Sequence, residues 1–219
     1  MVSASTNGSA RGSPAAERAG ALLPPSFYER DTAEVARDLL GKILVVRAKT
    51  GETAGRIVEV EAYSGGDPAS HSARGETPRS APMFGPPGRA YVYFIYGMYE
   101  MLNFVTESEG RAGAVLIRAV EPVAGIDLMR KRRRSAKGNH SLTNGPGRLT
   151  RAMAIRMSDN RAPLQGPRIL VLDDGARPAS VCASPRVGIR EGAGKMWRYF
   201  DPDSPFVSPV RQNRQARRV

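Results

Sequence analysis

The sequence predicts a single domain that mixes α-helices and β-strands, an α+β fold. The chain has 219 residues, of which 41% are hydrophobic, so it is long enough to bury a substantial core. Short Val- and Tyr-rich runs with period-two alternation indicate strands, and segments with helical periodicity precede and follow them. We therefore expect one mixed domain, and the strands argue against an all-helical protein.

Composition indicates the limits of this domain. Residues 1–23 are rich in Ser, Ala and Gly and carry almost no large apolar side chains, so we expect a disordered N-terminal tail. Residues 211–219 contain 4 arginines and are expected to form a basic C-terminal tail. The folded domain should then cover residues 24–210.

The predicted elements follow in chain order. A helix capped by Thr32 should run through Leu40 and end at Gly41. Strands at 43–47 and 56–63 should form a hairpin. The Gly-, Pro-, Ser- and Arg-rich segment 64–89 is too long for an ordinary connection, which favours a functional loop. The remaining predictions are strands at 90–95, 102–106, 114–120, 168–172 and 187–189, and helices at 125–133 and 147–157.

The formal net charge of +12 and the sequence pI near 10.5 indicate a polyanionic partner. No run of about eighteen apolar residues exists, so we expect no membrane partner. Two basic clusters, at 130–137 and 211–218, carry most of the charge excess. Arginine binds phosphate oxygens bidentately, which favours phosphate binding over a merely solvated surface. For the C-terminal cluster taken alone, the solvated surface remains open.

Other function classes find little support. The single cysteine, Cys182, excludes an internal disulfide, and with His71 and His140 it shows no metal-ligand spacing. We expect neither a metal nor a cofactor. The first residues lack the apolar stretch of a signal peptide, which predicts a cytoplasmic protein, nucleoid-associated if it is bacterial.

The strand at 56–63 carries two acidic side chains close together. Either Glu59 and Glu61 point to solvent, or one of them activates a water molecule while Tyr63 stacks on a base beside it. Period-two alternation places Ile57, Glu59, Glu61 and Tyr63 on one face and Val58, Val60 and Ala62 on the other.

Arg118 lies within the apolar run 114–120, which is typical of a strand buried on both faces. An unpaired buried guanidinium is very costly, so Arg118 needs a carboxylate. A glutamate of a neighbouring strand, such as Glu61, is the expected partner, because Glu121 lies too close along the same strand. A purely structural ion pair is the alternative.

The segment 90–99 predicts a hairpin whose turn is at Gly97. Tyr96, Met98 and Tyr99 would leave large apolar groups at its tip, as in proteins that insert side chains between base steps. Alternatively, the hairpin folds under a loop and these residues join the core. Asn103 needs a hydrogen-bond partner, either a base edge or a backbone carbonyl.

A glycine-rich turn precedes the helix predicted at 147–157. Its amide groups and Arg148 could dock a phosphate at the helix N-terminus, although a plain turn is the alternative. The turn reads Asn144-Gly145-Pro146-Gly147-Arg148.

Several motifs between 56 and 122 occur together in a specific order. They are Val58-Glu59-Val60-Glu61-Ala62-Tyr63, His71-Ser72, Thr77-Pro78-Arg79, Met83-Phe84, Tyr91-Val92-Tyr93, Tyr96-Gly97-Met98-Tyr99, Asn103, Leu116-Ile117-Arg118-Ala119 and Glu121-Pro122. These motifs resemble the alkyladenine DNA glycosylase (3-methyladenine DNA glycosylase, methylpurine type) family, and the resemblance extends from about Pro25 to Pro209.

The resemblance implies a role for each candidate residue. Glu61 would activate water and Arg118 would orient it. The base pocket would be formed by Tyr63, His71 and Tyr93, with Asn103 obstructing the exocyclic amino group of a normal guanine. Tyr96 would fill the gap left in the duplex, with Met98 beside it. Phosphate contacts are expected from Thr77, Arg79, Gly145, Gly147 and Arg148.

The resemblance also implies a curved, largely antiparallel sheet with the hairpin projecting into the minor groove. The expected partner is duplex DNA that contains alkylated or deaminated purines, namely 3-methyladenine, 7-methylguanine, hypoxanthine or ethenoadenine, and the expected state is a monomer. No lysine occurs between Thr50 and Arg130, so water is the expected nucleophile and an abasic site the product. His71 could protonate a neutral base or only hydrogen-bond to it. A non-catalytic nucleic-acid-binding module is the alternative function.

Overall fold

The computed structural model describes residues 20–95 and 97–219. Residues 1–19 and Tyr96 lie outside the described residues, so the expectations for most of the N-terminal tail and for Tyr96 are not addressed. The strands are β1 (Ala21–Leu22), β2 (Ile43–Ala48), β3 (Gly51–Ser64), β4 (Ala90–Ile95), β5 (Tyr99–Val105), β6 (Gly113–Ala124), β7 (Ile169–Asp173), β8 (Cys182–Ser184), β9 (Arg198–Phe200) and β10 (Arg217–Arg218).

All ten of these strands belong to one sheet, in which every pairing is antiparallel. The main path has the order β1-β7-β2-β3-β6-β5-β4, and a side branch β9-β8-β10 joins it at β3. The long strand β3 therefore pairs with β2 through its first half and with β9 at Glu59–Glu61. The predicted α+β fold is confirmed.

Among the described residues, four short α-helices accompany the sheet: α1 (Pro25–Tyr28), α2 (Thr32–Asp38), α3 (Ile126–Arg132) and α4 (Pro146–Met153). Helix α2 packs on β3 and β6, whereas α4 packs on β5 and β6. The largest core cluster joins these helices to the sheet and includes Val35, Ile117 and Leu149, all fully buried. None of the helices in the described part of the chain has the length and apolar character needed to cross a bilayer.

The cap of α2 is Asp31 and not Thr32. The Oδ1 atom of Asp31 accepts hydrogen bonds from the backbone nitrogens of Ala33 (2.9 Å) and Glu34 (3.1 Å). Thr32 is buried, and its hydroxyl donates to Glu107 Oε1 at 2.8 Å. A carboxylate and a hydroxyl next to each other can both cap a helix, so sequence alone does not separate them.

Three irregularities interrupt the pairing of β3 with β6, and two of them are bulges that flank Glu59. Glu59 lies opposite Ala119 and Val60 lies opposite Ile117, so Arg118 is the extra residue on β6. An extra residue bends the strand and re-aims a side chain, and bulges of this kind are common beside active sites. Arg118 therefore occupies a position that regular pairing would not give it.

The second bulge lies on β3 at Val58, because Ile57 pairs with Val120 while Glu59 pairs with Ala119. Because of this bulge, the side chains of β3 before Val58 point to the side of the sheet opposite to the one that regular alternation predicts. Ile57 joins the main core together with Val60, whereas Val58 packs in a separate cluster with Ala119. The faces predicted for Ile57 and Val58 are therefore wrong, since alternation holds only within an unbroken strand.

The ends of the described chain differ from the tails expected from composition. Residues 211–215 form a 3-10 turn, and β10 pairs with β8, so the C-terminal residues are part of the sheet. At the other end, β1 pairs with β7 and Leu23 is buried. The strand predicted at 187–189 is absent, and that segment is a loop, whereas the short strands β8 and β9 were not predicted.

Candidate active site

A cavity of about 310 Å³ opens beside the second half of β3. Its walls come from β3, β4, β5 and β6, from the loop after β3, from the start of α4 and from the loop 187–189. All the candidate catalytic and base-pocket side chains line it: Glu61, Tyr63, His71, Tyr93, Asn103 and Arg118.

Glu61 is fully buried and is held by three groups. Its Oε1 accepts a hydrogen bond from the backbone nitrogen of Val187 at 2.7 Å, and its Oε2 accepts one from the Tyr63 hydroxyl at 2.8 Å. The Nη1 atom of Arg118 lies 3.3 Å from Oε2. These contacts fix the direction of the carboxylate, as a general base requires. The interpretation of a solvent-facing glutamate strand is wrong, because Glu59 is fully buried too.

Arg118 contacts both carboxylates of the strand. Its Nε donates to Glu59 Oε1 at 2.7 Å, which is closer than its contact with Glu61. The expected partner, Glu61, is therefore the more distant of the two carboxylates, and Glu59 is the nearer one. Burial opposes the charge of Arg118, but Glu61 and Glu59 outweigh it and raise the pKa of the guanidinium above its usual value.

Tyr63 joins Glu61 to a second ion pair. Burial, followed by the charge of Glu61, raises the pKa of Tyr63 well above 10.0, so the hydroxyl remains a donor. The guanidinium of Arg186 lies 4.6 Å from the centre of the Tyr63 ring. Arg186 is itself buried, donates to Ala62 O at 2.8 Å and forms a two-point pair with the buried Asp67.

The opposite wall of the cavity is aromatic. His71 Nδ1 lies 2.8 Å from the Tyr91 hydroxyl, and the His71 ring meets Tyr93 edge to face at 4.6 Å. Burial, followed by the charge of Arg79, lowers the pKa of His71 from 6.5 to about 4. The imidazole is therefore neutral near pH 7, which favours hydrogen bonding over proton donation.

Asn103 lies at the edge of the same wall. It is buried, and its Nδ2 donates to the backbone oxygen of Tyr91 at 3.1 Å. Of the two hydrogen-bond partners expected for Asn103, a base edge or a backbone carbonyl, the amide nitrogen therefore has the backbone carbonyl. Because Asn103 also lines the cavity, the hydrogen bond holds its side chain in a fixed place beside any occupant.

The hairpin of β4 and β5 leaves its tip exposed. Met98 and Tyr99 are 62% and 40% exposed, so for these two residues the alternative of joining the core is wrong, and Phe94 beside them is 45% exposed. Ile95 and Met101 line the cavity, which places the tip at its rim. Three large apolar side chains at one projecting turn form a surface suited to contact with a partner.

The predicted phosphate-contact residues lie in two places. Thr77 and Arg79 are exposed, and Arg79 stacks over the Tyr93 ring at 5.1 Å. The other three lie at the start of α4, where Arg148 is exposed and donates to Asn144 Oδ1 at 2.8 Å. They are Gly145, Gly147 and Arg148.

An arginine cluster continues from the start of α4. We use this name for Arg133, Arg148 and Arg151. Arg133 directly follows α3, which packs on α4, the helix that carries Arg148 and Arg151. Burial, followed by the charges of Arg148 and Arg151, lowers the pKa of Arg133. Tyr99 of the hairpin packs against Gly147 beside them. The cluster, the hairpin and the cavity therefore share one side of the molecule.

Sequence reasoning missed several residues that complete the site: Glu59 as the partner of Arg118, Val187 as a donor to Glu61, Tyr91 as the partner of His71, and the pair Asp67 and Arg186. Val187 and Arg186 lie in a loop that has no periodicity, so no local pattern marks them. In the described part of the chain, no group of three or more His, Cys, Asp or Glu side chains is placed to hold a metal ion.

Similarity to known proteins points to one family. Residues 26–205 match the family model of methylpurine-DNA glycosylase (MPG). A protein of Methanocella arvoryzae named as a 3-methyladenine DNA glycosylase is 48% identical over 191 residues, which cover 85% of this chain and 96% of the relative. A relative from Methanoculleus marisnigri with the same name is 48% identical over 190 residues, which cover 85% of this chain and 98% of the relative.

A third relative with that name, from Burkholderia lata, is 46% identical over 202 residues, which cover 90% of this chain and 96% of the relative. The matched region contains the whole cavity and the hairpin. The chain therefore belongs to the methylpurine-DNA glycosylase family and is a DNA glycosylase, a hydrolase of N-glycosyl bonds.

Proposed function

We propose that this protein flips alkylated or deaminated purines out of duplex DNA and hydrolyses their N-glycosidic bond with water, which leaves an abasic site. The proposed substrates are 3-methyladenine, 7-methylguanine, hypoxanthine and ethenoadenine. The observation that carries the proposal is the placement of Glu61, which the Val187 amide, the Tyr63 hydroxyl and Arg118 hold at the wall of a base-sized cavity.

In the proposed reaction, a water molecule between Glu61 and Arg118 attacks C1′ of the flipped nucleotide. Its proton passes to Glu61, the bond between C1′ and the base nitrogen breaks, and the electron pair leaves with the base. An alkylated, cationic purine leaves as a neutral base and needs no further proton. For a neutral purine, the neutral His71 can act through a hydrogen bond.

The nucleophile follows from the residues around the cavity. An amine nucleophile would form a Schiff base with the sugar and could cut the backbone. None of the described residues that line the cavity is a lysine. We therefore propose a monofunctional glycosylase. Because one chain supplies every side chain of the site, we also propose that it acts as a monomer.

Recognition of the damaged base is assigned to the aromatic walls and to Asn103. Tyr63 and Tyr93 offer faces on which a purine can stack, which is worth about 1–3 kcal/mol per base. The fixed amide of Asn103 would collide with the exocyclic amino group of guanine. Met98 at the exposed tip of the hairpin, with Tyr96 next to it in the sequence, is assigned to fill the gap in the duplex.

The test uses methylated duplex DNA and a duplex with one hypoxanthine, each treated with hot alkali after incubation. We expect the wild type to release base and to cut the strand only after alkali. Glu61→Gln should lower the rate by about a hundredfold or more and keep the affinity for DNA. Glu52→Gln, on the same strand but paired with Arg47 outside the cavity, is the matched control.

Two outcomes would contradict the proposal. Release of no modified purine by the wild type would favour the alternative function, a non-catalytic nucleic-acid-binding module. Strand cleavage before alkali would contradict water as the nucleophile. Activity of Glu61→Gln equal to that of Glu52→Gln would remove Glu61 from the proposed chemistry.

A further inference from the structure

We propose that Glu59 is a positioning residue for base release, which orients Arg118 and is itself held by the segment 198–213. This inference rests on the proposed function, because it concerns the same site. Glu59 does not line the cavity and cannot touch a substrate there. It must therefore act through another residue, and its contacts lead to Arg118.

Glu59 is fully buried, and its two oxygens accept three hydrogen bonds. Oε1 accepts from Nε of Arg118 at 2.7 Å and from Nε of Arg198 at 2.6 Å. Oε2 accepts from the backbone nitrogen of Ser208 at 2.7 Å. Three donors from three parts of the chain leave the carboxylate little freedom to move.

The contact with Nε determines how Arg118 faces the cavity. The guanidinium is planar and rigid, so fixing its Nε edge also fixes the direction of its other two nitrogens. In this orientation Nη1 lies 3.3 Å from Glu61 Oε2 and remains at the cavity wall. Without Glu59, Arg118 could turn and form a two-point pair with Glu61, which would occupy the oxygens that should bind water.

The charges of the group are balanced. Glu59 and Glu61 contribute two negative charges, and Arg118 and Arg198 contribute two positive ones. Burial raises the pKa of Glu59, but the charges of Arg118 and Arg198 and the donors of Ser208 outweigh it and lower the pKa to about 2. Glu59 therefore stays ionised over the working range of the enzyme.

Arg198 is anchored in turn by residues that do not touch the cavity. Its Nη1 donates to Ser184 Oγ at 2.9 Å and its Nη2 donates to Asn213 Oδ1 at 2.9 Å. The Asn213 amide donates back to Ser208 O at 3.1 Å. A continuous hydrogen-bonded path thus runs from Asn213 through Arg198 and Glu59 to Arg118.

The first test is a double-mutant cycle of Glu59→Gln and Arg118→Ala, measured by single-turnover base release from methylated duplex DNA. Glu59→Gln should lower the rate by about a hundredfold, as a misplaced catalytic group does, and change DNA affinity by less than about threefold. In the Arg118→Ala background it should lower the rate by less than about threefold. An equal loss in both backgrounds would overturn the proposal.

Two further variants separate positioning from folding. Asp159→Asn is the matched control, because Asp159 is also a buried carboxylate bound by an arginine, Arg168, and by a backbone nitrogen, but outside the cavity. It should keep wild-type rates. Asn213 is exposed, so the variant Asn213→Ala should fold. Because it removes one hydrogen-bond acceptor of Arg198, it should release base about fivefold to tenfold more slowly, with unchanged DNA affinity.

If Glu59→Gln fails to fold, Asn213→Ala decides the question, and a wild-type rate in that variant would overturn the proposal. A comparable loss of rate in Asp159→Asn would also overturn it, since the effect would then follow from destabilisation alone. If the wild-type chain releases no modified purine, the proposed function itself fails, and this inference fails with it.

Discussion

At the scale of single residues, two glutamates that look alike in sequence do different work. Glu59 and Glu61 lie two positions apart and are both fully buried, but only Glu61 lines the cavity. The difference comes from their partners. Glu61 is held by Val187 and Tyr63, whereas Glu59 accepts from the C-terminal part of the chain.

His71 gives a prediction about pH at this scale. Its pKa falls from 6.5 to about 4 on folding, so the ring is neutral above about pH 5. We expect wild type and His71→Gln to give pH–rate profiles of the same shape from about pH 5.5 to 8 on methylated DNA. A wild-type ionisation near pH 6.5 that disappears in His71→Gln would contradict this and indicate proton donation.

The same shift has a consequence for stability. Because the folded chain disfavours the imidazolium, protonation of His71 favours the unfolded chain. The contribution of the neutral ring to the free energy of unfolding is therefore complete above pH 6.5 and is lost as the pH falls through about 4. In denaturation titrations, the free energy of unfolding of the wild type should therefore fall relative to that of His71→Gln as the pH drops from 6.5 to about 4.

At the scale of elements, the contact between the hairpin and α4 fixes the rim of the cavity. Gly147 packs so closely on Tyr99 that a Cβ atom there would lie 2.6 Å from Tyr99 Cδ1 and 2.8 Å from Cγ. Only glycine allows the helix start to approach the hairpin this closely. Pro146, the preceding residue, lines the cavity, so this approach also shapes the site.

We predict that Gly147→Ala destabilises the protein by about 1–3 kcal/mol, because the added methyl group must displace the aromatic ring. Urea denaturation measures the free energy of unfolding. In the Tyr99→Ala background the two closest clashing atoms are gone, so the same substitution should have almost no effect. An equal loss in both backgrounds would show that the contact with Tyr99 is not the cause.

The elements also show how far sequence reasoning extends. The hairpin of β4 and β5 and the buried run of β6 were predictable, because each has a strong local pattern, whereas the group of cavity residues was expected from the family resemblance. The bulges at Val58 and Arg118 were not, since they depend on how two strands pair. The strands β8 and β9 have only three residues each, too few for a periodic signal.

At the scale of the whole molecule, part of the net charge of +12 lies beside the cavity. The arginine cluster lies beside the hairpin that borders the site. Local sequence could indicate a polyanionic partner, but the place of Arg133 relative to Arg148 and Arg151 depends on the packing of α3 on α4. Tertiary structure therefore decides which basic residues can act together.

We predict that Arg148→Gln and Arg151→Gln each weaken binding to duplex DNA about equally for every sequence. Each should reduce the slope of log affinity against log salt by about 1, because one phosphate contact is lost. Arg177→Gln is the control, since Arg177 pairs with Asp173 and lies outside the cluster. Unchanged slopes for Arg148→Gln and Arg151→Gln would exclude the cluster from the DNA-binding surface.

The anchoring of Glu59 has a consequence for the order in which the protein becomes active. Its donors Arg198 and Ser208 follow it by 139 and 149 residues, so the ribosome makes them long after β3 and the hairpin. A buried carboxylate without its donors is strongly destabilising. We therefore expect the cavity to close only when these late residues arrive, which would keep a partly synthesised chain from acting on DNA.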